Sequence, residues 1–402
     1  MLRRVLLLIA AVHLAGAAGS AAAQGVQVTP LAAPDAFTTP GRPTGLPPTL
    51  WAGASAGTAR TVLPLLAAKS LSPAAAALAR RILATGAPGP EGAGRDPDLA
   101  AARANALMFQ GDPKAAAAVL AHAPGLDRSS DLARAASETA LLAGDDARAC
   151  QVGNALTVGR DETYWLKLRA YCQALAGQTS QAQLTFDLVQ AQAKDATYAR
   201  LMNAKLAGAG KPGAASLRNG LDYALSKSLG LDLAAAKASP AVAAAMAGAN
   251  ASEPAFDALM ASPDFGEIAG QIQAGRPVSN GAFVGAAAAA GDGGKAGGAR
   301  LSAASLLVAG LSDDAGTAAI DALTKATVAE GKAPLGRNLA LEVAARRKLV
   351  GETALIALWT CAEAGSAGPA VGDRVRIVRA LHAVGLDRDA RNFVLEGLAG
   401  LK

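Results

Sequence analysis

Cys150 and Cys172 carry the clearest chemistry in this chain, because thiols can join as a disulfide, bind a metal as thiolates or attack a substrate. A metal site would need further ligands at close spacing. The only histidines past His13 are His122 and His382, and neither has a second His or a Cys at ligand distance along the chain, so no zinc signature exists. Nucleophilic chemistry has one letter match, Gly53-Ala54-Ser55-Ala56-Gly57, the G-x-S-x-G elbow. That elbow needs a buried strand before it. The residues in front, LPPTLWA, hold two prolines and leave no room for one, so Ser55 reads as the lead-in to a helix. Phosphate chemistry has two letter matches. Gly208 to Gly213 fits G-x-G-x-x-G but follows a helix instead of a strand. Gly291 to Ala296 resembles a P-loop, yet Ala289 stands where the first Gly belongs and Ala296 where Ser or Thr belongs. The carboxylate pairs Asp145-Asp146 and Asp313-Asp314 follow corner glycines, where helix amino ends favour negative charge, and so read as caps. No catalytic, cofactor-binding or metal-ligating residue is assigned from these patterns.

The elements that must position the thiols are helical hairpins. Gly111, Gly144, Gly177 and Gly210 recur every 33 residues, a step typical of stacked hairpin arrays. Helices are expected from Asp96-Pro97 to Gln110, from Ser130 to Ala143 and from Asp161 onward, each turning at its glycine and returning. Cys150 then lies on the second helix of one hairpin and Cys172 on the first helix of the next. Such helices are packed neighbours, and an oxidising compartment lets the two sulfurs join. Cys361 is left as a buried free thiol.

Five residues past the corner glycine stands a small residue, Ala116, Ala149 or Ala182, and nine past it stand Leu120, Gly153 and Phe186. Close helix crossings need a small side chain at the approach and a large one beyond it. Gly177, Ala182 and Phe186 carry this scheme best, and with it the stretch from about 96 to 210 resembles the tetratricopeptide repeat. Gly153 departs from the pattern, and the terminal proline appears only as Pro124. The resemblance implies a right-handed α-α superhelix that binds a protein or peptide on its concave wall.

Composition agrees with an all-α fold. Hydrophobic residues make up 51% but aromatics only 3%, so the core is built from Ala, Leu and Val, and period-two runs are scarce. Residues 24–50 are rich in Pro, Thr and Gly and read as an extended, surface-lying or disordered leader. An N-terminal array is expected over 51–231, irregular helices with an Ala/Gly linker over 232–300, and a second hairpin region over 301–402 with corners at Gly351 and Gly385. Arg346, Arg347, Lys348, Arg374, Arg376 and Arg379 form basic clusters there, read as a solvated face or as a candidate docking surface for an anionic partner.

Residues 1–23 have the form of a cleaved secretory signal: Arg3-Arg4, an apolar Val5 to Ala18, then Ala21-Ala22-Ala23 before Gln24. Cleavage takes two arginines from the formal charge of +6, and the remaining +4 over so long a chain is too weak for nucleic-acid binding. No later segment is apolar enough to span a bilayer. The Ala- and Gly-rich composition fits a bacterial source and therefore the periplasm. The expected function is a non-enzymatic scaffold or adaptor for an envelope protein or peptide, without cofactor. The alternative is a cell-wall glycan-active enzyme or accessory factor, similar to the superhelical lytic transglycosylases.

Overall fold

The computed structural model describes residues 35–208, 212–247, 254–290, 294–312, 323–324, 326 and 330–401. The chain divides into two units, Met1–Ala33 and Pro34–Lys402, and the described residues all belong to the second. The expected signal peptide, Gly210, Asp313 and Asp314 lie outside the described residues.

The described residues form nineteen α-helices, and the one β feature among them is an isolated bridge between Leu217 and Ala238. We number the helices α1 Ala56–Leu66, α2 Pro73–Ala84, α3 Pro97–Phe109, α4 Pro113–Leu120, α5 Ser130–Ala143 and α6 Asp146–Ala155. There follow α7 Thr163–Leu175, α8 Thr179–Gln192, α9 Ala196–Ala207, α10 Gly220–Ser228 and α11 Pro240–Met246. Next come α12 Asp257–Met260, α13 Gly266–Gln273, α14 Asn280–Ala290 and α15 Gly294–Ala309. The last four are α16 Leu335–Arg346, α17 Val350–Ala364, α18 Val371–Ala383 and α19 Asp387–Ala399.

Local chemistry sets the boundaries of the array. Asp96 accepts from the Asp98 and Leu99 N–H groups at the start of α3, and Pro97 fits the first turn. Asp112 and Asp145 cap α4 and α6 in the same way. Gly111, Gly144 and Gly177 have φ of 86°, 80° and 72°, the left-handed turn that ends a helix without steric cost only for glycine. The hairpins α3/α4, α5/α6 and α7/α8 pack internally and each packs on the next. Ala116, Ala149 and Ala182 are completely buried at these crossings, and Phe186 is buried beyond the last of them. Gly153 breaks the pattern because its space is taken from outside: a Cβ there would lie 3.2 Å from Leu168 Cδ2, with Trp165 alongside. Cys150 on α6 and Cys172 on α7 form a disulfide with their Cα atoms 5.6 Å apart, so it ties two successive hairpins together. Cys361 is the free cysteine and is buried, which raises its thiol pKa to about 12.

The C-terminal hairpins α16/α17 and α18/α19 do not continue from α10. They stack on the first helices of the chain: α17 packs on α1 and α2, and α19 packs on α2. Two acids seal this junction by serving the amino ends of another segment's helices. Glu352 accepts from the Ser55 N–H at 2.8 Å and the Thr58 hydroxyl at 2.6 Å, and Glu396 accepts from the Ala74 N–H at 2.7 Å. Arg81 and Asp389 form a further ion pair across it.

The structure corrects three expectations. Gly351 is not a corner; it lies in the first turn of α17, donates its N–H to the Leu50 carbonyl at 2.9 Å, and is small because Leu50 and Trp51 press against it. The corner between α16 and α17 is made by Lys348, at φ 57°. Arg374 is not a docking residue, since it is buried, pairs with Glu396 at 2.7 Å and donates to the Phe393 carbonyl. From Asp35 on, the leader is not loose: Phe37 is completely buried and stands edge-on to Trp51, 5.8 Å away. Arg103 holds it down, with its guanidinium donating to the carbonyls of Ala36, Thr39, Leu83 and Thr85. Burial lowers the Arg103 pKa to about 9, although Asp35 works against that shift.

Candidate functional site

A cleft of about 410 Å³ opens between α1, α3 and α5. Pro64 of α1 and Ala67, which caps its end, form one wall, and Asp98, Ala101, Ala102 and Asn105 of α3 the next. Asp131, Arg134, Ala135 and Glu138 of α5 complete it. The α5 residues stand 33 positions after the α3 residues, one for one: Asp98 and Asp131, Ala101 and Arg134, Ala102 and Ala135, Asn105 and Glu138. That step is the spacing of the corner glycines, so the cleft is lined by equivalent positions of successive hairpins. On α3 and α5 the lining residues fall at i, i+3, i+4 and i+7, which is one helical face.

The next hairpin supplies Tyr164 at the position equivalent to Asp131. The Arg134 guanidinium lies over the Tyr164 ring at 4.7 Å from its centre. Asp98, Asp131 and Arg134 keep exposed side chains, while Ala101, Ala102 and Ala135 give a small-residue floor. The cleft therefore offers charged heads above a shallow apolar base.

Glu138 has a displaced pKa. Burial raises it, against the hydrogen bond it accepts from the Gly220 N–H at 2.6 Å. Burial and the nearby Glu138 charge together push the Tyr164 hydroxyl well above its usual range. A carboxyl with raised pKa in a cleft is what a general acid needs. Glu138 does not present that acid to a substrate: Oε2 is tied to Gly220 and Oε1 is buried from solvent. Its observed role is to anchor the start of α10 on α5. Ser55 likewise has a local task, since its Oγ accepts from the Gly57 and Thr58 N–H groups as the cap of α1.

The basic residues named from sequence do not act as one group. Arg346, Arg347 and Arg379 are exposed. Lys348 is exposed too, but its Nζ donates to the Ala383 carbonyl at the end of α18, where positive charge is favoured. Arg376 is half-buried and 3.7 Å from Asp373. Corner glycine Gly385 has φ 79°, in the turn between α18 and α19. Sequence reasoning missed the cleft residues. Their signal was the second 33-residue register, of polar residues instead of glycines, carried by Asp98/Asp131 and Asn105/Glu138. Among the described residues no cluster of three or more His, Cys, Asp or Glu is placed to hold a metal ion, and no helix is long and apolar enough to cross a membrane. No protein-family model, no curated protein and no solved structure matches the chain.

Proposed function

We propose that this chain is an exported, non-enzymatic scaffold or adaptor. It holds a protein or peptide of the cell envelope on the α1/α3/α5 face of a right-handed, tetratricopeptide-like helical stack. The observation that carries this reading is the cleft itself, in which equivalent positions of consecutive hairpins converge on one alanine-floored strip. Repeat arrays bind in this manner, with each unit contributing the same positions to a continuous surface. The step from that surface to a partner rests on architecture.

Export rests on the charged, apolar and small-residue order of residues 1–23, and the Cys150–Cys172 disulfide suits an oxidising compartment such as the periplasm. In-cell crosslinking followed by capture tests the reading. The wild-type chain should recover a discrete envelope protein, and Asp98→Arg with Asp131→Arg should lose it while keeping the wild-type helical content and melting. Equal capture by the variant would remove the cleft from the account. Release of muropeptides from purified peptidoglycan, abolished by one Glu substitution, would replace a scaffold by an enzyme.

A further inference from the structure

α16 turns an apolar ridge to water. Leu335, Leu339 and Val343 stand at i, i+4 and i+8 and are 84%, 55% and 38% exposed. The opposite face, with Leu341, Ala344 and Ala345, is buried where α16 packs on α17 and α18. Polar contacts fix the helix on that side. Just before its start, Asp373 of α18 accepts from the Lys332 and Ala333 N–H groups at 2.6 and 3.1 Å. Arg337 pairs with both oxygens of Glu363 on α17 at 2.7 Å and lies over the Trp359 ring, 4.4 Å from its centre. Past its far end, the Lys348 Nζ donates to the Ala383 carbonyl of α18. The ridge is therefore held outward by a fixed frame, and a continuous exposed apolar ridge marks an interaction surface.

Charge narrows what the ridge meets. Arg346 and Arg347, three and four residues past Val343, continue the exposed face, and Lys332 stands before Leu335. Over 330–348 the exposed charged residues are Lys332, Arg346, Arg347 and Lys348 against Glu330 and Glu342, and exposed Arg379 of α18 adds to the positive side. A second copy fits this face badly. Antiparallel pairing about Leu339 sets Arg346 opposite the other copy's Lys332, and parallel pairing sets each arginine opposite itself, so like charges meet either way. We propose that α16 docks the protein on an anionic bilayer surface. The ridge enters the boundary between headgroups and acyl chains, and the cations at both of its ends meet lipid phosphates. At 12 residues the helix is too short to cross, so it lies along the surface. A bilayer needs no slot of matching shape for a convex ridge, as a protein partner would. α8 supplies the contrast within the same chain. Its Leu184 and Leu188 are 74% and 55% exposed, but from Thr179 to Gln192 it has no Lys or Arg and one acid, Asp187.

The test is co-sedimentation with lipid vesicles. It uses the chain from Gln24 on, which keeps the Pro34–Lys402 unit whole and leaves out the apolar residues 1–23, which would bind lipid by themselves. The vesicles are phosphatidylcholine alone, or equal parts of phosphatidylcholine and phosphatidylglycerol. Wild type should bind the anionic vesicles about tenfold or more tighter than the neutral ones, and added salt should weaken that binding. Arg346→Gln with Arg347→Gln should lose about twentyfold, near fivefold per charge. Leu335→Ser with Leu339→Ser should lose about tenfold or more. Leu184→Ser with Leu188→Ser, on the ridge without cations, should bind like wild type. All three pairs replace exposed side chains, so each should melt like wild type. Absence of binding to either vesicle overturns the proposal and leaves the face to an acidic protein. Equal binding to both vesicles, or an equal loss in the α8 variant, makes the binding nonspecific adsorption and overturns it too. A wild-type dimer that the Leu335/Leu339 pair splits would assign the ridge to a second copy instead. The cleft takes no part in these measurements, so their failure leaves the scaffold reading standing, and failure of the capture experiment leaves them unaffected.

Discussion

Substituting Gly351 by alanine sets two effects of opposite sign against each other. Gly351 is helical, in the first turn of α17, and alanine is favoured over glycine in a helix by about 1 kcal/mol. Packing opposes this. A Cβ at position 351 would stand 2.6 Å from the Leu50 carbonyl oxygen and 2.7 Å from Trp51 Cε3, and Trp51 is itself locked in the core against Phe37. Neither neighbour is the free end of a flexible chain. Forcing a methyl into such a site costs about 1–3 kcal/mol. Moving Leu50 away also stretches its hydrogen bond from the Gly351 N–H, worth about 1 kcal/mol. Crowding wins, and Gly351→Ala should destabilise by about 1–3 kcal/mol, read as a lower urea midpoint with an unchanged slope. Gly270→Ala is the matched control: it is also helical, nothing lies within 4 Å of its would-be Cβ, and it should gain about 0.5–1 kcal/mol. Asparagine separates packing from turn geometry, because it tolerates the left-handed conformation that a corner requires. Gly351→Asn should be worse than Gly351→Ala, whereas Gly385→Asn, at a true corner with open space around it, should be tolerated. A Gly351→Ala chain as stable as wild type would refute the reasoning.

Replacing both Cys150 and Cys172 by serine opens a loop of 22 residues' separation and should cost about 3 kcal/mol; a melting point that reductant leaves unchanged would contradict this. Arg374→Met leaves the half-buried Glu396 without its cation and should destabilise by about 3 kcal/mol, whereas a surface arginine would cost under about 0.5 kcal/mol on urea unfolding. Glu138 has a raised pKa in the fold, so the folded state holds its proton more tightly, and stability falls as pH climbs from the unfolded value near 4.5 through the folded one. Glu138→Gln removes that slope and should gain on wild type as pH rises above about 4.5, as seen in paired denaturation curves; parallel curves would show that Glu138 is not displaced.

The sequence was most legible where one residue type alone satisfies a backbone demand. Gly111, Gly144 and Gly177 announce hairpin corners because φ near 80° excludes side chains, and Asp96, Asp112 and Asp145 announce helix starts because their carboxylates reach orphan N–H groups. Cys150 and Cys172 followed, since hairpin register alone brings neighbouring helices together. It was least legible where glycine or arginine answers a distant neighbour. Gly351 is small on account of Leu50 and Trp51, some 300 positions earlier, and Arg374 is buried on account of Glu396 on another helix. No local pattern encodes either partner.

The same reason hid the return of α17 and α19 onto α1 and α2, which joins the last hairpins to the first. It also hid where α11 packs: the stretch was expected to hold irregular helices, but nothing local to it encodes its contact with α3 and α5. The cleft occupies a middle position. Its residues do repeat at 33, but aspartate, asparagine and alanine are acceptable on any solvated helix, so the repeat acquires meaning only when the fold turns Asp98 and Asp131 toward one opening. A local rule exposes a residue constrained by its own backbone; a residue constrained by a surface it shares with another unit is exposed only by the stacking. In an array a face shared by successive units is the second kind, and the corner glycines set the register in which such faces align.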